Sequence, residues 1–156
     1  MLDFIAKELN CFDNSCESGH FTGSCWLESF DGKAALLTHH KKYGEWFQLG
    51  GHADGNPDLL SVALREAREE SGFSKIELVQ AGIFDIGVHP NLPEDKGFPV
   101  HYHYDVRFYL RAAKDEPFIV SEESFSLKWI YKNEEDKIPN NYDVKRMFKK
   151  WKNMQP

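Results

Sequence analysis

GGHADGNPDLLSVALREAREESGF, residues 50–73, joins a glycine pair and a turn-forming segment to a run of helix-forming residues. Asn56 is a favourable helix cap, and Pro57 is favoured at the first helical position, where its missing N–H costs nothing. Gly72 is placed to end the helix in a left-handed conformation. The stretch therefore predicts a helix from about Pro57 to Ser71.

The predicted helix has an apolar face and an acidic face. Its apolar stripe consists of Leu59, Leu60, Ala63 and Ala67. Offsets of three and four residues place Glu66, Glu69 and Glu70 together, where their charges repel each other. A divalent metal would remove that repulsion, and an all-oxygen ligand set favours Mg²⁺ or Mn²⁺ over zinc. The alternative is a solvated acidic face on which Arg65 and Arg68 pair with the glutamates.

The same stretch resembles the Nudix box. That pattern is Gly, five residues, Glu, seven residues, Arg-Glu, a bulky apolar residue, any residue, Glu-Glu, any residue, Gly and a bulky apolar residue. The residues in register are Gly51, Arg65, Glu66, Glu69, Glu70, Gly72 and Phe73. Pro57 replaces the first Glu, and Ala67 replaces a bulky aliphatic residue. A match of this length is far more specific than a lone glycine motif.

The resemblance implies a set of metal ligands. In the family, the carboxylates corresponding to Glu66, Glu69 and Glu70 hold one to three Mg²⁺ or Mn²⁺ ions, together with a main-chain carbonyl that corresponds to Gly50. These ions bridge the diphosphate, polarise phosphorus and lower the pKa of a bound water, which then attacks. The base varies among members. A box glutamate is one alternative, and a later acid is the other: Glu123, or its neighbour Glu122.

The family's first Glu usually pairs with the arginine that corresponds to Arg65 and braces the helix. Pro57 cannot form this pair. The resemblance therefore requires Asp54 or Asp58 to replace it, and it leaves the metal ligands intact.

The rest of the chain predicts strands with helices at the start, middle and end. The predicted strands are 24–30, 33–40, 45–49, 76–89, 100–110, 118–121 and 126–131, and the outer helices are 2–11 and 141–152. Gly82 and Gly87 are expected at bulges or strand ends. The closing helix has one apolar stripe, formed by Val144, Met147, Phe148 and Trp151. This order predicts an α/β/α sandwich with a mixed sheet.

Histidines concentrate around the predicted cleft. Strand 100–110 alternates, with His101, His103, Asp105 and Arg107 on one face. Tyr102, Tyr104 and Phe108 lie on the opposite face, and we expect them in the core. In the fold that the resemblance implies, His52, His89, His101 and His103 border the cleft. Three alternatives remain for them: contact with phosphate or the leaving group, a second metal site, or no direct role.

The segment KKYGEW, residues 41–46, offers Lys41 and Lys42 to attract phosphate and Tyr43 and Trp46 to stack on a base. An ordinary surface turn with a core tryptophan is the favoured alternative.

Composition excludes several classes of protein. The 156 residues are 41% hydrophobic and 28% charged, which predicts one globular domain over residues 1–156. The net charge of −6 argues against a nucleic-acid polymer as partner. No run is long and apolar enough for a membrane span or a secretory signal, so a cytoplasmic protein is expected.

The three cysteines do not suggest a disulfide framework. With His20 they form Cys11-x4-Cys16-x3-His20-x4-Cys25, a four-ligand set whose spacing matches no common zinc finger.

These observations together predict a Nudix pyrophosphohydrolase that acts on a small molecule, a nucleoside diphosphate linked to another moiety. One alternative is a catalytically silent Nudix domain that binds a nucleotide or a protein. The other is an enzyme like isopentenyl-diphosphate isomerase, which needs a catalytic cysteine with its own flanking motif; that motif is absent. The sequence does not decide the substrate, whose specificity is expected in loops such as 90–99, and it leaves a homodimer open.

Overall fold

The computed structural model describes residues 1–91 and 101–154. Most of the predicted loop 90–99 lies outside the described residues. The helices are α1 (Leu2–Lys7), α2 (Leu59–Ser71) and α3 (Tyr142–Lys152), with a 3₁₀ turn at Glu135–Lys137. The strands are β1 (Gly19–Glu28), β2 (Ala34–His40), β3 (Glu45–Phe47), β4 (Leu49–His52), β5 (Ile76–Leu78), β6 (Asp85–Asn91), β7 (His101–Ala112) and β8 (Ser124–Tyr131).

All of the described strands belong to one mixed sheet. Its main path is β3-β2-β1-β7-β5, with β4 paired to β1, β6 to β7 and β8 to β2. Only β1 and β7 are parallel among the described pairs, and their register places His20 opposite His103 and Ser24 opposite Arg107. This register brings one end of β1 beside the histidine-rich end of β7.

The helices α2 and α3 cover opposite faces of the sheet. Phe21 and Cys25 of β1 belong to a buried cluster that includes Ala63 and Ala67 of α2. The neighbouring Trp26 belongs to a second cluster, together with the predicted stripe of α3. Because side chains alternate along a strand, the two clusters lie on opposite faces. The predicted α/β/α sandwich with a mixed sheet is confirmed.

The box helix begins two residues later than predicted. Asp58 is its N-cap, and its side chain accepts a hydrogen bond from the Ser61 amide at 3.1 Å. Asn56 caps the preceding turn instead, since its Oδ1 accepts from the Asp58 amide at 2.9 Å. Pro57 therefore precedes the helix. The predicted end is confirmed, because Gly72 has a φ of 73° and donates to the Arg68 carbonyl.

The apolar face of α2 is also shifted. Val62, Ala63 and Ala67 are buried, whereas Leu59 and Leu60 are only partly buried against the core. A Cβ at Gly23 of β1 would lie 2.7 Å from the Leu59 carbonyl oxygen, so this glycine allows the helix to approach the sheet closely.

Three predicted elements need correction. The first helix ends at Lys7, because Glu8 is extended. Strand 76–89 is divided into β5 and β6, with Gly82 at a positive φ between them, whereas Gly87 lies inside the regular pairing of β6. Residues 118–121 form no strand. Their apolar side chains have other roles. Phe118 packs on the core, and Ile119 lies against Gly72, where an added Cβ would collide with the Ile119 side chain.

The predicted burial of strand β7 is partly wrong. Phe108 is buried and Tyr104 is half-buried, but Tyr102 is 49% exposed. The opposite face is buried along its whole length, from His101 to Arg107. In the part of the chain that the structure describes, none of the helices is both long enough and apolar enough to cross a bilayer.

Candidate active site

The three box glutamates differ sharply in their surroundings. Glu70 is 4% exposed and accepts a hydrogen bond from the Gly50 amide at 2.7 Å. The Glu66 side chain is 13% exposed, and a Cβ added to Gly51 would lie 2.5 Å from its carboxyl carbon. The Glu69 side chain is 61% exposed. Gly51 therefore makes room for the Glu66 carboxylate and Gly50 binds that of Glu70, while Glu69 faces solvent.

Burial dominates the electrostatics of this pair. Desolvation raises the pKa of Glu66 to about 7, although the charge of Arg65 opposes the shift. Desolvation also raises the pKa of Glu70 to about 8, although the Gly50 amide opposes it. Glu66, Glu69 and Glu123 add like-charge repulsion at Glu70. Near pH 7 both carboxyl groups are therefore partly protonated, and a bound cation would favour their charged forms.

Arg65 connects this helix to the loop before it. Its guanidinium lies 2.8 Å from Glu66, 3.3 Å from Glu69 and 3.5 Å from Asp54. It also donates to the His52 carbonyl at 2.9 Å. Of the two predicted substitutes for the missing glutamate, Asp54 contacts Arg65 and Asp58 caps the helix. The arginine is braced without an acid at position 57.

The donor set fits a hard divalent cation. Glu66, Glu69 and Glu70 offer carboxylate oxygens, and the neighbouring Gly50 offers a main-chain carbonyl. Oxygen donors suit Mg²⁺ and Mn²⁺, and a bound cation would offset the desolvation that raises the pKa of Glu66 and Glu70.

Glu123 lies close enough to raise the pKa of both Glu66 and Glu70. It is exposed and directly precedes β8. Its segment is anchored by Lys41, whose amide donates to the Glu123 carbonyl at 2.9 Å and whose Nζ donates to the Glu122 carbonyl at 2.7 Å. Lys41, predicted to attract phosphate, thus holds the segment that carries the candidate base.

A cluster of imidazole rings lies beside the glycine pair. The ring centroid of His20 is 5.0 Å from that of His52, 4.9 Å from that of His101 and 4.7 Å from that of His103. The His89 ring lies 5.7 Å from the His103 ring. Burial, followed by the neighbouring histidines, lowers the pKa of His20 to about 4 and that of His103 to about 2. Both rings are therefore neutral at pH 7.

The sequence matches the NUDIX domain family over residues 20–151, which is most of the chain. This chain belongs to the Nudix family. No curated protein matches it significantly in sequence.

Solved Nudix structures share its fold. A NUDIX family hydrolase from Clostridium perfringens has a TM-score of 0.69 at 22% identity, covering 85% of this chain and 95% of that one. An Ap4A hydrolase from C. elegans, solved as a binary complex, has a TM-score of 0.65 at 17% identity, covering 84% and 93%. The NUDIX domain of Shewanella oneidensis NrtR, solved with ADP ribose, has a TM-score of 0.58 at 16% identity, covering 96% and 94%.

The sequence does not predict that His20 lies beside the later histidines. The sequence spacing groups it only with the three cysteines, in Cys11-x4-Cys16-x3-His20-x4-Cys25. Cys11, Cys16 and Cys25 are free and buried, and none joins His20 in the candidate metal cluster found among residues 1–91 and 101–154. The clue to its position is the parallel register of β1 and β7, which the sequence does not reveal.

Trp46 is half-buried and stacks on His39, with ring centroids 5.0 Å apart and planes at 12°. The Lys128 ammonium lies 4.6 Å from the Trp46 ring centroid. Both partners belong to the protein itself, so this environment accounts for the tryptophan without a nucleotide base. Base stacking at Trp46 stays a prediction.

Burial raises the pKa of the Cys25 thiol well above its usual range. A protonated, fully buried thiol is a poor acid–base catalyst and a poor nucleophile. This environment gives no support to the isomerase alternative.

Proposed function

We propose that this Nudix protein is a metal-dependent pyrophosphohydrolase, which cleaves a phosphoanhydride bond in a nucleoside diphosphate linked to another moiety. The observation that carries the proposal is the convergence of Glu66 and Glu70 on the glycine pair, where the Gly50 amide binds the Glu70 carboxylate and Gly51 leaves room for that of Glu66. Burial raises the pKa of both groups, and a cation bound there would offset that cost.

Four residues would hold Mg²⁺ or Mn²⁺: Glu66, Glu69 and Glu70 through carboxylates, and Gly50 through its carbonyl. The ions supply Lewis-acid chemistry, which neutralises charge on the diphosphate and makes water a better nucleophile. The same pKa values imply that Glu66 and Glu70 must lose their protons before they can bind a cation, so affinity should rise with pH.

Three residues around this site support the reaction, either by holding neighbouring groups in place or by accepting a proton. Arg65 links α2 to the end of β4 through its hydrogen bond to the His52 carbonyl. It also neutralises part of the charge of Glu66. Glu123 is exposed beside the pair, and it is the candidate that takes the proton of the attacking water. Lys41 holds its segment in place.

The substrate class rests on two of the similar structures as well as on the box. One is named an Ap4A hydrolase, and another contains ADP ribose. Both compounds carry a nucleoside joined through a phosphoanhydride to another group. His52 directly follows the glycine pair, and His101 and His103 lie near it; all three would offer ring nitrogens to the substrate.

The test is a panel of nucleoside triphosphates, ADP ribose, dinucleoside polyphosphates and nucleotide sugars, incubated with Mg²⁺ or Mn²⁺ and analysed for released phosphate and nucleotide. We expect turnover with metal and none after chelation. Tight binding of a nucleotide without cleavage of any compound would instead favour the silent Nudix domain. Rearrangement of isopentenyl diphosphate, followed by NMR, would favour the isomerase.

A further inference from the structure

Three histidines from distant parts of the chain converge on the sheet face opposite α2. His20 comes from β1, and His101 and His103 come from β7. Each offers one ring nitrogen, and the three nitrogens lie within 4.8 Å of one another. His20 is 2% exposed, and the other two are each 8% exposed. Three buried ligand atoms at this separation are close to what one metal ion requires.

The hydrogen bonding of the His20 and His103 rings is incomplete. Neither ring nitrogen of His20 has a hydrogen-bond partner among the described residues, and neither does Nε2 of His103. Leaving a buried polar atom unpaired costs on the order of 1–3 kcal/mol, and native proteins rarely tolerate this without a bound group. A bound ion or ordered water would supply the missing partner.

We propose that His20, His101 and His103 form a binding site for a divalent transition metal of the zinc class, separate from the carboxylate site on α2. Imidazole nitrogen suits zinc and its neighbours in the first transition row, whereas Mg²⁺ prefers oxygen. Three histidines with a fourth position left for water or substrate are a known zinc arrangement. The ligand atoms need only a modest rearrangement, since a tetrahedral zinc with Zn–N bonds of about 2.0–2.1 Å spaces its nitrogens by roughly 3.4 Å.

The position of His52 relates this site to the carboxylate site. His52 lies next to the cluster and directly after Gly51, which faces the Glu66 carboxylate. Because side chains alternate along β4, the ring of His52 and the cluster beside it lie on the sheet face opposite the Glu66 carboxylate. Zinc binding itself does not depend on hydrolysis, so each proposal can fail alone.

The first experiment uses the wild-type protein. After chelation and addition of one equivalent of Zn²⁺, we expect retention of about one zinc per chain by mass spectrometry. A crystal soaked in the same solution should show an anomalous peak at the zinc edge between the three rings. An empty cluster, a peak at the glutamates alone, or water bridging the rings would overturn the proposal.

Variants assign the ligands. His20→Ala and His103→Ala should weaken zinc binding by at least about 100-fold, as measured by calorimetry. Loss of a residue that only supports a metal ligand costs up to about this factor, and loss of a ligand should cost at least as much. His39→Ala is the matched control, because His39 stacks on Trp46 outside the cluster. Glu70→Gln should retain the histidine-bound zinc although it loses hydrolysis. Unchanged zinc affinity in folded His20→Ala and His103→Ala proteins would refute the assignment, and the wild-type anomalous map decides if these variants do not fold.

Discussion

Replacing Glu70 with glutamine removes an ionisable carboxyl group from the most buried of the three box glutamates. The amide keeps an oxygen that can accept the hydrogen bond from Gly50, and the side-chain volume barely changes. Two consequences are expected, in opposite directions. Hydrolysis is lost because a metal ligand has gone, and the metal-free protein becomes more stable at alkaline pH because a buried carboxylate no longer has to ionise.

The magnitude follows from the raised pKa of Glu70, from 4.5 to about 8. Because the folded value lies above the unfolded one, the unfolded chain loses its proton first, and stability falls as pH rises through this window. Each pKa unit corresponds to about 1.36 kcal/mol, so the metal-free wild type loses on the order of 4 kcal/mol between pH 4.5 and pH 8. At pH 8 the variant should therefore melt about 10 °C higher, at roughly 2–4 °C per kcal/mol.

The assay is thermal unfolding in EDTA from pH 5 to pH 8, combined with hydrolysis in Mg²⁺. Glu69→Gln is the matched control: it removes another of the proposed metal ligands, but its exposed side chain carries no burial cost. Both variants should be inactive, and only Glu70→Gln should gain stability. Added Mn²⁺ should stabilise the wild type much more than Glu70→Gln. Equal melting temperatures for wild type and Glu70→Gln at pH 8 would refute the electrostatic argument.

Three further predictions concern neighbouring residues. Glu123→Gln should lower kcat by on the order of 100-fold or more with little change in melting temperature. Glu122→Gln, a change at the neighbouring residue that is also exposed, should stay active. Equal kcat in the two variants would remove Glu123 as the base. Asp58→Ala should cost about 1 kcal/mol in urea unfolding with kcat retained, since it removes only the helix cap, and an unchanged midpoint would contradict that role. Gly51→Ala should displace the Glu66 carboxylate and weaken Mn²⁺ binding, measured by titration, at least about tenfold relative to wild type. Wild-type affinity in this variant would show that the carboxylate can move aside.

The parts of this site that are local in sequence could be predicted. The acidic face of α2 follows from helical spacing, and its end follows from Gly72. The start was misplaced because two good caps are adjacent: Asn56 and Asp58 both accept backbone hydrogen bonds, and only their geometry decides which one begins the helix. The difference in burial between Glu69 and Glu70 is also not local, since it depends on how closely the glycine pair approaches the helix.

The histidine cluster shows where such reasoning ends. The alternation of β7 placed His101 and His103 on one face, but periodicity does not say which strand lies alongside. The parallel pairing of β1 with β7 joins His20 to His103 across 83 positions of sequence. A parallel pair needs a long crossover connection, so no local turn signal marks it. The error at Tyr102 has another origin: Phe108 on the same face is buried, and alternation does not show that this burial ends before the start of the strand.

Pro57 then takes on a different meaning from the one that the box pattern suggests. Loss of the first glutamate would be expected to release Arg65, yet the structure gives this arginine three acidic neighbours and a carbonyl. Asp54 supplies the contact from three positions upstream, in a left-handed conformation (φ 50°) that aspartate tolerates better than most residues. Asn14 donates to the other Asp54 oxygen at 2.7 Å and holds it there. Because the position of the arginine is maintained by different residues, the departure at position 57 does not argue for a silent domain.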